Sequence, residues 1–243
     1  MIKYNHYDEH PFEFLSKEDE LNIERYQPKF FKQFLKKYSN KKLTIAEIGC
    51  GPGRGTLYMT ANKLNVTAVD LSKVSLNLAK KRAPKANFIK ADNMNLPFKD
   101  RIFDIVISDG VIHHTKNPFQ SLKENIRILK LGGKMYLTFY RKHSLYYYIY
   151  KFTKLVRIFE RTKLGNFLIN LLLVPPYYIL QRIRSKNNIS YKGSKNFFYD
   201  YLITPIAKFY TQKEMILFCN KNNMQLIEKF KYKNTFIFFL SKK

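Results

Sequence analysis

A doubly wound, mostly parallel α/β sheet is the architecture this sequence predicts, and three patterns predict it. Between residues 41 and 140, short apolar runs alternate with helix-like stretches, the signature of consecutive βαβ units. The runs end in acidic residues or in a glycine-rich turn, as strands do when they deliver functional groups to one edge of a parallel sheet. Near the C-terminus two further runs are separated by a tight turn, which suits an antiparallel pair completing a sheet of seven strands.

Taken in chain order, residues 1–40 predict a helical cap. Ser16-Lys17-Glu18-Asp19 has the form of a capping box, in which a hydroxyl and a carboxylate satisfy the first free backbone N–H groups. The helix it opens is expected to reach Lys37. Residues 41–140 predict the core, with strands at 43–48, 66–69, 87–90, 103–107 and 134–140. Helices at 56–63, 72–82 and 118–129 lie between them; Ser72 caps the second, and Gly132-Gly133 closes the third. Residues 141–210 break the pattern and predict an inserted helical lid. Residues 211–243 resume it with a helix at 211–222 and strands at 224–231 and 234–241.

The formal charge of +26 comes from 44 Lys and Arg against 18 Asp and Glu, and it is unevenly spread. The cap is balanced, with seven of each sign; the core holds 17 basic and 7 acidic residues, and the last segment 7 and 2. The insertion holds 13 basic and 2 acidic residues, together with 16 of the 39 aromatics. At 45% hydrophobic the chain is too apolar to be a disordered basic tail. Cys50 and Cys219 make neither a disulfide framework nor a zinc-type pair, so a reducing, cytoplasmic setting without a metal is expected. The first residues carry no apolar stretch with a cleavage site, so no secretory signal is expected.

Within the insertion, an apolar run at 164–180 is flanked by Arg157, Arg161, Lys163, Arg182, Arg184 and Lys186. Asn166, Asn170 and Pro175-Pro176 interrupt the run, so it is not expected to span a membrane. Three roles stay open for this block. Its aromatics form the lid's own core, or it makes peripheral contact with lipid, or it binds nucleic acid through basic grooves and stacking rings.

The chemistry concentrates at Ala46-Glu47-Ile48-Gly49-Cys50-Gly51-Pro52-Gly53-Arg54-Gly55-Thr56. A strand that ends in glycines and feeds a helix lets backbone approach a ligand with no side chain between. The nicotinamide fingerprint requires its third glycine where Arg54 stands. What is present is G-x-G-x-G, with an acid two residues before it. Asp70, Asp92 and Asp109 then follow the second, third and fourth strands. One Asp after one strand is an ordinary turn residue; four acids at the carboxyl ends of successive parallel strands share one crevice.

In these motifs the chain resembles the class I S-adenosylmethionine-dependent methyltransferases, well over residues 42–140 and loosely over 211–243. The resemblance implies a Rossmann-like sheet and S-adenosylmethionine as cofactor. It places Glu47, Gly49, Cys50, Gly51 and Gly53 at the methionine portion, Asp70 with Leu71 at the ribose, and Asp92 with Asn93 at the adenine. Carboxylates suit both the hydroxyls and the cationic amine of such a ligand. Asp109, His113 and His114 fall where the family builds the edge of its acceptor pocket, with Asp109 also implied at the cofactor and His114 and Asp109 as candidate catalytic groups. Tyr199 and Asp200 would close over the acceptor, and Tyr7, with Tyr4, Asp8 and His10, would form the opposite wall. No Asn/Asp-Pro-Pro-Tyr/Phe motif occurs at the fourth strand, and neither cysteine is placed as a nucleophile, which removes support for adenine N-methylation and pyrimidine C5 chemistry. The implied activity is in-line methyl transfer to a small, lipid-like or partly apolar acceptor. The alternatives are an RNA methyltransferase that uses the basic lid, and a non-catalytic cofactor-binding partner protein.

Overall fold

Five consecutive strands run parallel, and three of the four connections between them carry a crossover helix, the third connection (residues 91–102) carrying none. In the computed structural model, which describes residues 6–9, 11, 20–184 and 189–243, these are β1 (Thr44–Ile48), β2 (Asn65–Asp70), β3 (Asn87–Lys90), β4 (Phe103–Ser108) and β5 (Leu129–Tyr140). β6 (Met224–Tyr232) and β7 (Thr235–Lys242) complete a seven-stranded sheet of order β3-β2-β1-β4-β5-β7-β6. β7 lies antiparallel between β5 and β6, as expected from the tight turn between the last two strands. The strand order reverses between β1 and β4, and the carboxyl ends of these two strands flank a crevice.

Both faces of the sheet are covered, so its central strands are apolar throughout rather than alternating. Ile45, Ala46 and Ile48 of β1 and Ile105, Val106 and Ile107 of β4 are all buried. Against one face, among the described residues, pack α2 (Ile23–Tyr26), α3 (Lys29–Tyr38) and the two crossover helices α4 (Arg54–Ala61) and α5 (Lys73–Arg82), with α1 (His6–Glu9) lying on α5. The other face is covered by α6 (Pro118–Ile128) and the late helix Gln212–Lys221. In α3 the buried residues are Phe31, Phe34 and Leu35, one stripe at helical spacing. Phe31 and Phe34 meet Tyr136 edge-on, each at 5.5 Å between ring centroids.

Two boundaries differ from the sequence expectation. The cap is not one helix to Lys37: the described part breaks at Gln27-Pro28. Proline removes a helical donor and pushes the residue before it to extended backbone, and Gln27 has ψ 138°. The predicted capping box at Ser16–Asp19 lies outside the described residues. Gly132-Gly133 does not close the third helix, which ends at Ile128 and passes directly into β5. The glycines lie inside that strand, where its register with β4 shifts.

The inserted segment returns to its starting point. Arg141 bridges Tyr210, the Tyr210 N–H donates to the Tyr140 carbonyl at 3.0 Å, and the Lys142 N–H donates to the Tyr210 carbonyl at 3.0 Å. Between these ends lie α7 (Leu145–Phe152), α8 (Lys154–Glu160), α9 (Lys163–Leu172), α10 (Val174–Arg184), α11 (Tyr191–Phe198) and a π-helical turn, Tyr199–Ile203. They enclose a small core of their own, made by Ile169, Val174, Phe198, Tyr199 and Ile203. Pro175-Pro176, expected to interrupt the apolar run, does not interrupt the helical stretch. Both prolines occupy the first turn of α10, where no intrahelical N–H is required. Lys163–Arg184, with mean hydropathy 1.2 over its apolar window, is one helical stretch long and apolar enough to cross a membrane by length and composition.

Candidate active site

The site begins where β1 ends. The Gly49 and Cys50 N–H groups both donate to the Val69 carbonyl, at 2.7 and 2.9 Å, so the turn leaves the sheet tied to β2. Gly49 has φ +74°, and a Cβ there would lie 2.4 Å from the Val111 side chain. Gly53 has φ +85° and forms the N-cap of α4; a Cβ there would lie 2.8 Å from the Cα of Ala79. This glycine therefore serves the approach of α5 to the turn, and it does not line the cavity.

The acids follow. The Asp70 carboxylate accepts the Gly51 N–H on one oxygen and the Ser72 N–H on the other, each at 2.8 Å. Each oxygen keeps a second acceptor direction. Burial raises the Asp70 pKa, and backbone hydrogen bonds oppose the rise. Glu47 is buried and accepts from Thr56 Oγ1 at 2.5 Å. Burial, only partly offset by that bond, pushes its pKa up to about 8. Asp92 accepts the Met94 N–H at 2.9 Å. Beside it, both polar atoms of the Asn93 carboxamide are buried with no hydrogen-bond partner. Asp109 is held by Arg54 at 3.2 Å and by the Thr138 hydroxyl at 3.0 Å.

All of these acids line one cavity of about 370 Å³. Its far end is walled by Tyr7, Val111, His114, Tyr140, Asp200 and Ile206. His114 Nδ1 lies 2.7 Å from the Ile206 carbonyl. A carbonyl can only accept, so Nδ1 carries the proton and Nε2 holds the lone pair. Burial pulls the His114 pKa down to about 4, so the ring is neutral near pH 7. Tyr7 meets His114 edge-on at 6.0 Å, and its hydroxyl lies 3.3 Å from Thr204 Oγ1. Asp200 stands on the π-helical turn, a distortion that often marks functional positions. Burial raises its pKa to about 7, and among the described residues its carboxylate makes no hydrogen bond.

Residues 46–137 match the family model of the methyltransferase domain. The core of this chain is a class I S-adenosylmethionine-dependent methyltransferase domain. An uncharacterized protein of Methanocaldococcus jannaschii is 39% identical over 111 residues, 46% of this chain and 47% of that protein. A ubiquinone/menaquinone biosynthesis C-methyltransferase of Campylobacter jejuni is 27% identical over 198 residues, 79% of this chain and 74% of that one. Among solved structures, the magnesium protoporphyrin IX methyltransferase of Synechocystis, determined with SAH bound, superposes with TM-score 0.58 at 12% identity. It covers 92% of this chain and 83% of its own. The chain spans less than half the length of the first curated relatives it matches.

The residues of the methyltransferase domain fit the cofactor of its family. Asp70 presents two acceptor oxygens suited to a pair of hydroxyls, and the open turn beside Gly51 leaves room for the ligand's main chain. The orphaned Asn93 amide offers one donor and one acceptor, the complement of a purine edge. Of the residues expected at the cofactor, Glu47, Gly49, Cys50, Gly51, Asp70, Leu71, Asp92, Asn93 and Asp109 all line the cavity. Gly53 does not.

At the acceptor end, Tyr7, His114 and Asp200 converge, whereas three expected residues among those described point elsewhere. His113 is fully buried behind Tyr140, with ring centroids 3.7 Å apart and both ring nitrogens unpartnered. Consecutive residues of a 3₁₀ turn face different directions, so only one of the two histidines reaches the cavity. Tyr199 turns into the lid core, where its hydroxyl accepts from Asn170 at 2.7 Å and Asn166 at 3.3 Å. Asp8 lies outside the cavity and accepts from the Ser72 hydroxyl at 2.5 Å and the Val74 N–H at 3.3 Å. Tyr4 and His10 lie outside the described residues. Sequence reasoning missed Arg54, Tyr140 and Ile206. Arg54 stands within the glycine motif and could have been flagged by its charge; Tyr140 and Ile206 carry no local signal.

Proposed function

We propose that this chain transfers the methyl group of S-adenosylmethionine to a small, partly apolar acceptor held between the N-terminal segment and the lid. The observation that carries this reading is the continuity of one cavity, from the glycine turn and Asp70 to His114 and Asp200. When bound, the cofactor supplies an electrophilic methyl on a positively charged sulfur. In this reading Asp70 holds the ribose hydroxyls, Asn93 and Asp92 hold the adenine, and Glu47 lies near the amine.

The chain's own work at the other end is positioning, exclusion of water and proton custody. Val111, Tyr140 and Ile206 give the acceptor an apolar wall, and the relative named for ubiquinone/menaquinone biosynthesis supports an acceptor of that kind. A proton leaving the acceptor atom has two destinations, His114 Nε2 and the Asp200 carboxylate. Asp200 is the better matched of the two, because its pKa of about 7 lies near the working pH while that of His114 lies near 4. Asp109, held by Arg54 and Thr138, shapes the edge between cofactor and acceptor rather than taking the proton.

Titration calorimetry with S-adenosylmethionine tests the cofactor half. Wild type is expected to bind, and Asp70→Ala to bind at least about tenfold more weakly, since two charge-assisted contacts are removed. Gly51→Arg fills the turn and is expected to abolish binding. Labelled cofactor incubated with lipid, small-metabolite and RNA fractions tests the acceptor half. Label confined to RNA would replace this reading, and label in no fraction would leave a cofactor-binding partner protein.

A further inference from the structure

The outer surface of the inserted helices is apolar, and among the described residues nothing covers it. Of the 23 exposed large hydrophobic side chains among the described residues, 15 lie between Leu145 and Tyr191. On α7 the exposed side chains are Leu145, Tyr148 and Phe152, and on α8 Leu155, Ile158 and Phe159, recurring every three or four residues within each helix, with Ile158 beside Phe159. Phe152 is 85% exposed and Leu155 76% exposed. On α9, Leu164, Phe167, Leu171 and Leu172 are exposed, while Gly165 and Ile169 face the lid core. Ile179, Leu180 and Ile183 extend the surface along α10.

Charge states what such a face meets. Lys151, Lys154, Arg161, Lys163 and Arg184 are exposed around it. The segment has two acids to set against 13 bases. One of them, Asp200, lines the cavity, and the other, Glu160, accepts from the Asn166 amide at 2.8 Å. The outer face is therefore strongly positive in balance, with Glu160 its one acid among the described residues. A second copy of this chain would bring cations against cations, so self-association through the face is disfavoured. A single strand of nucleic acid would need rings for stacking, but ten of the 15 exposed side chains are Leu or Ile, and Tyr146 and Tyr199 are fully buried.

We propose that α7–α10 dock in the plane of an anionic lipid bilayer. The apolar face would enter the boundary between headgroups and acyl chains, with the basic rim against lipid phosphates. Lying in the interface agrees with the packing better than spanning does. Crossing the bilayer would pull Ile169 and Val174 out of the lid core and break the bonds from Asn166 and Asn170 to Tyr199. The inner side of the same lid supplies Asp200 and Ile206 to the cavity, so docking would bring the acceptor end of the cavity to the membrane surface.

Sedimentation of the full chain with phosphatidylcholine vesicles, with and without phosphatidylglycerol, tests this without any reference to methyl transfer. The chain is expected to sediment with the anionic vesicles, to be released by high salt, and to bind the neutral ones far more weakly. Lys154→Gln with Lys163→Gln should weaken anionic-vesicle binding about 30-fold, and Phe152→Ser with Leu155→Ser at least about tenfold. Calorimetry with S-adenosylmethionine on the same variants should match wild type, separating loss of docking from loss of fold. No sedimentation with anionic vesicles, equal sedimentation of wild type and both double variants, or binding to mixed-sequence RNA but not to vesicles would each overturn the proposal.

Discussion

At the scale of single residues, three buried polar groups distinguish ligand binding from stability. Asn93 keeps both amide atoms buried without partners, a cost of about 1–3 kcal/mol that a ligand edge would relieve. Asn93→Ala is therefore expected to leave the melting temperature of the free protein equal or higher while weakening S-adenosylmethionine binding roughly tenfold; thermal scans and calorimetry on the same samples check both. Asp200, at about 7, and Glu47, at about 8, have folded-state pKa values raised by burial. The stability that follows from such a shift is complete below the unfolded value near 4 and is lost as pH rises through the folded value. The melting temperature of Asp200→Asn should thus gain on that of wild type as pH rises from about 5 to about 8. The same substitution should remove the rise of methyl transfer through about pH 7 if Asp200 takes the proton.

At the scale of elements, the glycine turn and the lid respond to different substitutions. A methyl group at Gly53 meets the backbone of α5 at 2.8 Å and requires φ +85°, whereas one at Gly51, at φ +53°, meets nothing within 4 Å. Gly53→Ala should cost about 2–4 kcal/mol in denaturant titrations and Gly51→Ala about 1 kcal/mol. In the lid, Tyr199→Phe leaves Asn170 without its 2.7 Å partner, for a loss of about 1 kcal/mol. Because Tyr199 faces the lid core and not the cavity, cofactor affinity in this variant should equal wild type by calorimetry. The element boundaries that differed from expectation have local causes. Pro28 divides the cap because it would fall in the middle of one continuous helix, while Pro175-Pro176 is tolerated because it opens a helix.

At the scale of the whole molecule, the +26 charge opposes compaction, and counterions relieve it. The melting temperature should rise as salt is added from low ionic strength, the reverse of its effect on vesicle binding; scanning calorimetry over a salt series checks the sign. The parallel core and the cofactor end of the cavity were legible in the sequence because their determinants are local. An apolar run, a glycine turn and the acid that ends a strand lie within a few residues of one another, and parallel βαβ geometry then brings every strand end to one edge. The acceptor end was legible only in part. Which of His113 and His114 faces the cavity depends on the 3₁₀ turn Ile112–His114 and on a carbonyl 92 residues away, at Ile206. Tyr199 and Asp200 are adjacent in sequence, yet one enters the lid core and the other the cavity. The sequence by itself determined the sheet, the cofactor turn and the concentration of basic and aromatic residues in the insertion. Only the tertiary structure decided which side chains meet at the acceptor end and which apolar residues of the lid stay uncovered, because both depend on contacts between segments that packing, not spacing, brings together.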